Sequence, residues 1–111
     1  MFSLTAENPS FSQRVSQEEA KRNYKFVRIT VDEIVNPKSL PITFDLYWHT
    51  GEKTEFLGSV SPFPANNPGS FIVATGGKVV GEGQMELRLG LKDIEKDLES
   101  LKVRVRRLRF E

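Results

Sequence analysis

The chain has 111 residues, with sixteen basic side chains against fifteen acidic ones; a net charge of +1 leaves no global field to recruit nucleic acid or anionic lipid. It has no cysteine, which excludes a disulfide framework, a thiolate metal site and a thiol nucleophile. The length suits one domain around one core, and 38% apolar residues suit a sandwich with one wet side per sheet.

Residues 1–23 read as a separate irregular arm or linker. Phe2, Leu4, Phe11 and Val15 are its few large apolar groups, without a sustained period, and Asn8-Pro9-Ser10 is a turn signal. Ser16 to Arg22 could form one or two helical turns, with Ser16 as N-cap and Glu19 closing a capping box. This opening stretch is too polar for a signal peptide, and no apolar run approaches the ~18 residues of a membrane span. With cysteine absent as well, the expectation is a soluble, cytoplasmic chain that does not engage a membrane.

Residues 24–111 read as a β-sandwich domain. Tyr24 to Asp32 sets Val27, Ile29 and Val31 on one side, and Asn36-Pro37 turns the chain into the clearest strand of all. There Ile42, Phe44, Leu46 and Trp48 alternate strictly with Thr43, Asp45, Tyr47 and His49, which puts four large apolar groups on one face. A hairpin tip follows at His49 to Lys53, with Gly51 able to take positive φ. Thr54 to Ser61 returns, a proline- and asparagine-rich loop runs from Pro62 to Gly69, and Ser70 to Thr75 turns Phe71 and Val73 inward. Gly76, Gly77, Gly81 and Gly83 bracket a ribbon that reads as a hairpin hinge before the alternation Gln84 to Leu89. Residues 91–100 read as a short helix across one end of the sandwich, with Leu91, Ile94, Leu98 and Leu101 at the spacing of one apolar stripe. In the last strand Leu101, Val103 and Val105 face inward; the phase then shifts to Leu108 and Phe110, as an inserted residue near Arg106-Arg107 would cause in a β-bulge. The predicted fold is therefore all-β, an antiparallel sandwich of six to seven strands with one short α-helix and an irregular N-terminal arm.

Few residues suit catalysis. His49 is the only histidine, whereas copper, zinc or non-haem iron sites need several imidazoles or a carboxylate cluster; it reads as an exposed strand-end side chain. No Gly-x-Ser-x-Gly occurs, so a nucleophilic triad has neither its serine context nor a spare base. Glu95, Asp97 and Glu99 interleave with Lys92 and Lys96 as a solvated helix face. The glycines around Thr75 to Gly83 lack the Gly-Lys-Ser/Thr ending of a phosphate loop.

Two stretches offer contact surface instead. Pro62 and Pro64 fix φ around Phe63 and lower the entropy lost if that ring enters a partner; alternatively Phe63 folds back and closes the end of the sandwich. Lys102, Arg104, Arg106, Arg107 and Arg109 form a basic surface. They could track a phosphate backbone, but the alternation favours a half-buried strand whose wet face is basic and meets acids on a neighbour; a nucleic-acid role is disfavoured because the aromatic residues fall on the core face.

The order of motifs resembles the β-sandwich domain that follows the dicopper domain in tyrosinases and polyphenol oxidases. The matching pieces are Ile29-Thr30-Val31-Asp32-Glu33-Ile34 with Asn36-Pro37, Phe44-Asp45-Leu46-Tyr47, Phe56-Leu57-Gly58-Ser59-Val60-Ser61-Pro62-Phe63, Phe71-Ile72-Val73, and Leu87 to Ile94 leading into the last strand. The likeness spans Tyr24 to Phe110 and departs from the family in the arginine-rich end and the short hairpin at Thr50-Gly51-Glu52. It implies a non-catalytic accessory or lid domain that shields or stabilises a dicopper phenol oxidase domain, in cis or in trans, with copper held by that partner and none by this chain. Copper caddies of tyrosinases are less similar, since they offer histidines for metal delivery. The alternatives are a free-standing immunoglobulin-like interaction module and, behind it, a nucleic-acid binder using the basic strand.

Overall fold

The computed structural model describes residues 2–22, 24–37, 39–91 and 101–111. Wherever apolar and polar side chains alternate, the backbone is extended and the apolar set is inside. In chain order the elements are β1 (Phe2–Thr5), β2 (Ser10–Val15), α1 (Gln17–Ala20), β3 (Phe26–Val35), β4 (Ile42–His49), β5 (Thr54–Val60), β6 (Gly69–Ala74), β7 (Gly83–Leu91) and β8 (Lys102–Phe110). The strands form two antiparallel four-stranded sheets, β1-β8-β3-β6 and β2-β7-β4-β5. Strand pairs β1–β8, β2–β7, β3–β6 and β4–β5 are those made by rolling up one long hairpin, which is the jelly-roll form of the sandwich. That order differs from the one that defines an immunoglobulin domain.

The described residues form eight strands rather than six to seven, and the extra pair comes from the segment expected to be an irregular arm. β1 pairs with β8 through Leu4↔Val103, and β2 pairs with β7 through Phe11↔Leu87. Leu4 and Val15 are fully buried, and the rings of Phe2 and Phe11 stack with centroids 3.7 Å apart across the two sheets. The period of two is present in β2, but its middle inward position is Gln13, so the apolar alternation is broken in the sequence. Between β2 and β3 the short helix forms as expected: Glu19 N–H donates to Ser16 Oγ, and Ser16 N–H to Glu19 Oε1.

The core lies between the sheets. Ile42, Phe44, Leu46 and Trp48 of β4 pack with Met85, Leu87 and Leu89 of β7 against Val27, Ile29 and Val31 of β3 and Val103, Val105 and Leu108 of β8. The phase shift read in the last strand is real. Thr30 faces Arg107 but Val31 faces Val105, so Arg106 is the inserted residue. A second insertion at Asp32 of β3 answers it, because Glu33 then faces Arg104 and the inward series resumes at Ile34. The two bulged residues meet as an ion pair, Arg106 to Asp32 at 3.0 Å.

β6 and β7 lie in different sheets, so Gly76, Gly77 and Gly81, all with positive φ, sit in a crossover and not in the hairpin hinge expected. The β4–β5 hairpin closes with Thr50 N–H donating to Lys53 C=O, and Gly51 needs no positive φ for it. The helix expected over 91–100 falls on residues outside those described, apart from Leu91, which ends β7. Among the described residues no helix is long and apolar enough to cross a membrane.

Candidate docking surfaces

One end of the sandwich is built by the β3–β4 and β5–β6 connections, and a buried asparagine joins them. Asn36 follows β3 directly and is 4% exposed. Its Oδ1 accepts from Leu40 N–H at 2.9 Å and its Nδ2 donates to Leu40 C=O at 2.9 Å, closing the β3–β4 turn on itself. The same Nδ2 reaches towards Ala65 C=O in the opposing loop at 3.4 Å. Within that loop Asn67 N–H donates to Pro64 C=O. The loop is thereby held from both sides, and its three central residues separate. Pro62 is buried against the sandwich end, Pro64 is exposed, and Phe63 projects with 91% of its surface exposed. Of the two readings of Phe63, this geometry matches presentation and not closure of the sandwich. Beside the ring lies a depression of about 330 Å³, walled by Ser39, Pro41 and Ile42 on one side and by the loop on the other.

The basic residues stand elsewhere. Lys102, Arg104, Arg106, Arg107 and Arg109 are all exposed and lie on the outer face of the β1-β8-β3-β6 sheet, along β8, one of its two inner strands. Acids on the neighbouring strand β3 do meet this row, through Asp32 with Arg106 and Glu33 opposite Arg104. The basic strand and the Phe63 loop are thus separate surfaces.

The outer face of the β2-β7-β4-β5 sheet carries an arrangement the sequence did not reveal. His49 is not an isolated strand-end imidazole: its Nε2 lies 2.6 Å from Glu86 Oε1 and its Nδ1 2.9 Å from Thr54 Oγ1. Arg88 donates to both oxygens of Glu86 and lies over the Tyr47 ring, 4.5 Å from its centroid. Burial alone would raise the Glu86 carboxyl, but the hydrogen bonds from His49 and Arg88 outweigh it and hold its pKa below the ordinary carboxylate range. Tyr47 faces Glu86 and Asp45 faces Arg88 across the β4–β7 ladder. Glu86 and Arg88 are neighbours on one face of β7, and the register brings Tyr47, His49 and Thr54 of β4 and β5 to them. The hydrogen bonds among His49, Thr54, Glu86 and Arg88 tie β4, β5 and β7 together on their wet side.

Among the described residues no group of three or more His, Cys, Asp or Glu gathers as a metal site would require. Glu95, Asp97 and Glu99 lie outside the described residues. No protein-family model and no curated protein matches the chain, so the likeness to the tyrosinase sandwich rests on its motifs alone.

Proposed function

We propose that this chain is a non-catalytic docking domain whose contact residue is Phe63, held by Pro62 and Pro64. One observation carries the reading: a large apolar ring is kept in solvent at the tip of a loop that is itself anchored by a buried proline and a buried asparagine. Phe63 is the most exposed of the large apolar side chains among the described residues, and a pre-ordered aromatic group is the usual kind of binding hot spot. The motif resemblance supplies the partner. It is a tyrosinase-like dicopper phenol oxidase domain, in cis or in trans, which holds the copper, and Phe63 lies at or near the entrance to its site.

The test is to add this chain to a dicopper phenol oxidase domain lacking its own sandwich and to follow diphenol oxidation. The wild-type chain is expected to bind and lower turnover, and Phe63→Ala to lose roughly tenfold or more in affinity, the scale of a hot-spot truncation. Equal inhibition by both chains removes Phe63 from the interface. Absence of binding by the wild type removes the oxidase as partner and leaves the free-standing interaction module, in which the same loop anchors an unrelated protein.

A further inference from the structure

We propose that the outer face of the β1-β8-β3-β6 sheet is a second docking surface, for an acidic protein segment whose carboxylates are interspersed with neutral or basic residues. The charge of this chain is nearly balanced in total but divided in space. The face gathers Arg28, Arg104, Arg106, Arg107, Arg109 and Lys102 against Asp32, Glu33 and Glu111. The outer face of the other sheet is balanced, with Arg14 and Arg88 beside Asp45 and Glu86. A partition of this kind creates a local field that a net charge of +1 conceals.

The row is long and ordered. From Lys102 to Arg109 a regular strand covers about 24 Å, which the bulge shortens; the outward side chains lie about 7 Å apart except at the bulge, where Arg106 and Arg107 stand next to each other. Small hydroxyl side chains flank it: Thr5 opposite Lys102, Ser3 opposite Arg104 and Thr30 opposite Arg107. These leave the guanidinium groups accessible and add donors at their base. Five of the six cations are arginine, whose planar fork pairs with a carboxylate through two parallel hydrogen bonds.

Two features favour a polypeptide over a nucleic acid. The one exposed aromatic ring on the described part of this face is Phe26, which lies beyond the end of the basic row, so stacked bases find no platform along it. The carboxylates also interrupt the row. Asp32 pairs with Arg106 at 3.0 Å, and Glu111 pairs with Arg28 at 2.7 Å, where its carboxyl is held below the ordinary range by that hydrogen bond. A phosphodiester chain carries a charge at every unit and would pass these acids at a cost. A polypeptide can set a serine or lysine opposite Asp32 and Glu33, and acids opposite Arg104, Arg107 and Arg109.

Fluorescence anisotropy with a labelled peptide of alternating Glu and Ser, and with a single-stranded oligonucleotide of equal charge, tests the proposal. The peptide is expected to bind the wild-type chain more tightly than the oligonucleotide does at the same salt. Arg104→Glu/Arg107→Glu should weaken peptide binding roughly tenfold or more, while Arg14→Glu on the opposite sheet changes it less than about twofold. Phe63→Ala should bind the peptide as the wild type does, which separates this surface from the loop. The proposal is overturned by tighter binding of the oligonucleotide, by equal binding of wild type and the double variant, by no peptide binding, or by dependence on Phe63.

Discussion

Asn36 links the fold to the proposed contact, and its replacement gives the most informative prediction. In Asn36→Ala, two well-formed hydrogen bonds to Leu40 disappear, each 2.9 Å long, at a residue that is itself only 6% exposed. The third contact, to Ala65 at 3.4 Å, is long enough to add little. A buried backbone group left without a partner costs about 1–3 kcal/mol, and water can reach part of this end of the sandwich, so the expected loss is about 2–4 kcal/mol. For a chain of this size that is a fall in Tm of roughly 10–20 °C. Asn36→Asp keeps the acceptor for Leu40 N–H but sets a carboxylate oxygen against Leu40 C=O. It should cost at least as much at neutral pH and recover partly in acid, where the introduced carboxyl gains a proton to donate. Urea denaturation followed by the fluorescence of Trp48, with hydrogen exchange over Ser61 to Asn67, measures both the stability and the anchoring of the Phe63 loop. A loss in Asn36→Ala below about 0.5 kcal/mol, the level of an ordinary surface change, would refute the clamp.

Three further outcomes follow from the packing and the charges. Removal of residues 1–15 deletes β1 and β2 and uncovers β8 and β7, so the remainder should lose cooperative unfolding, and Leu4→Ala alone should cost about 2–5 kcal/mol; a truncated chain with an unchanged urea midpoint would restore the notion of a dispensable arm. At Gly83 an added Cβ would stand 2.8 Å from the Trp48 ring and closer still to His49 C=O, so Gly83→Ala should cost about 3 kcal/mol and alter the near-ultraviolet signal of Trp48, while Gly51→Ala, in open space, should do neither. Folded Glu86 titrates below the ordinary value of 4.5, so its contribution is complete above that pH and is lost as pH falls through the folded value. The stability of Glu86→Gln should therefore decline less steeply than that of the wild type below roughly pH 4.5, as urea midpoints across pH will show.

The core strands were legible in the sequence because burial on one face imposes a period of two, and β3, β4, β7 and β8 carry it with few exceptions. Even the bulge at Arg106 was legible, since an inserted residue must move the apolar positions from Val105 to Leu108. The matching insertion at Asp32 was not read, although the step from Val31 to Ile34 carries the same signal. β1 and β2 escaped for a different reason. Edge strands bury less, so a polar Gln13 at an inward position is tolerated there and hides the alternation.

Alternation states which residues share a face of one strand, and nothing about which strand lies beside it. The strength of the β4 pattern, the basic row of β8 and the proline-flanked Phe63 were therefore fixed by the order of residues. Pairing of β1 with β8 and β2 with β7, the reach of Asn36 towards the Phe63 loop, and the meeting of His49 with Glu86 needed the folded molecule. All of these join residues distant along the chain or on different elements. They depend on ladder register and loop closure, quantities set by the packing of both sheets together and not by any single segment.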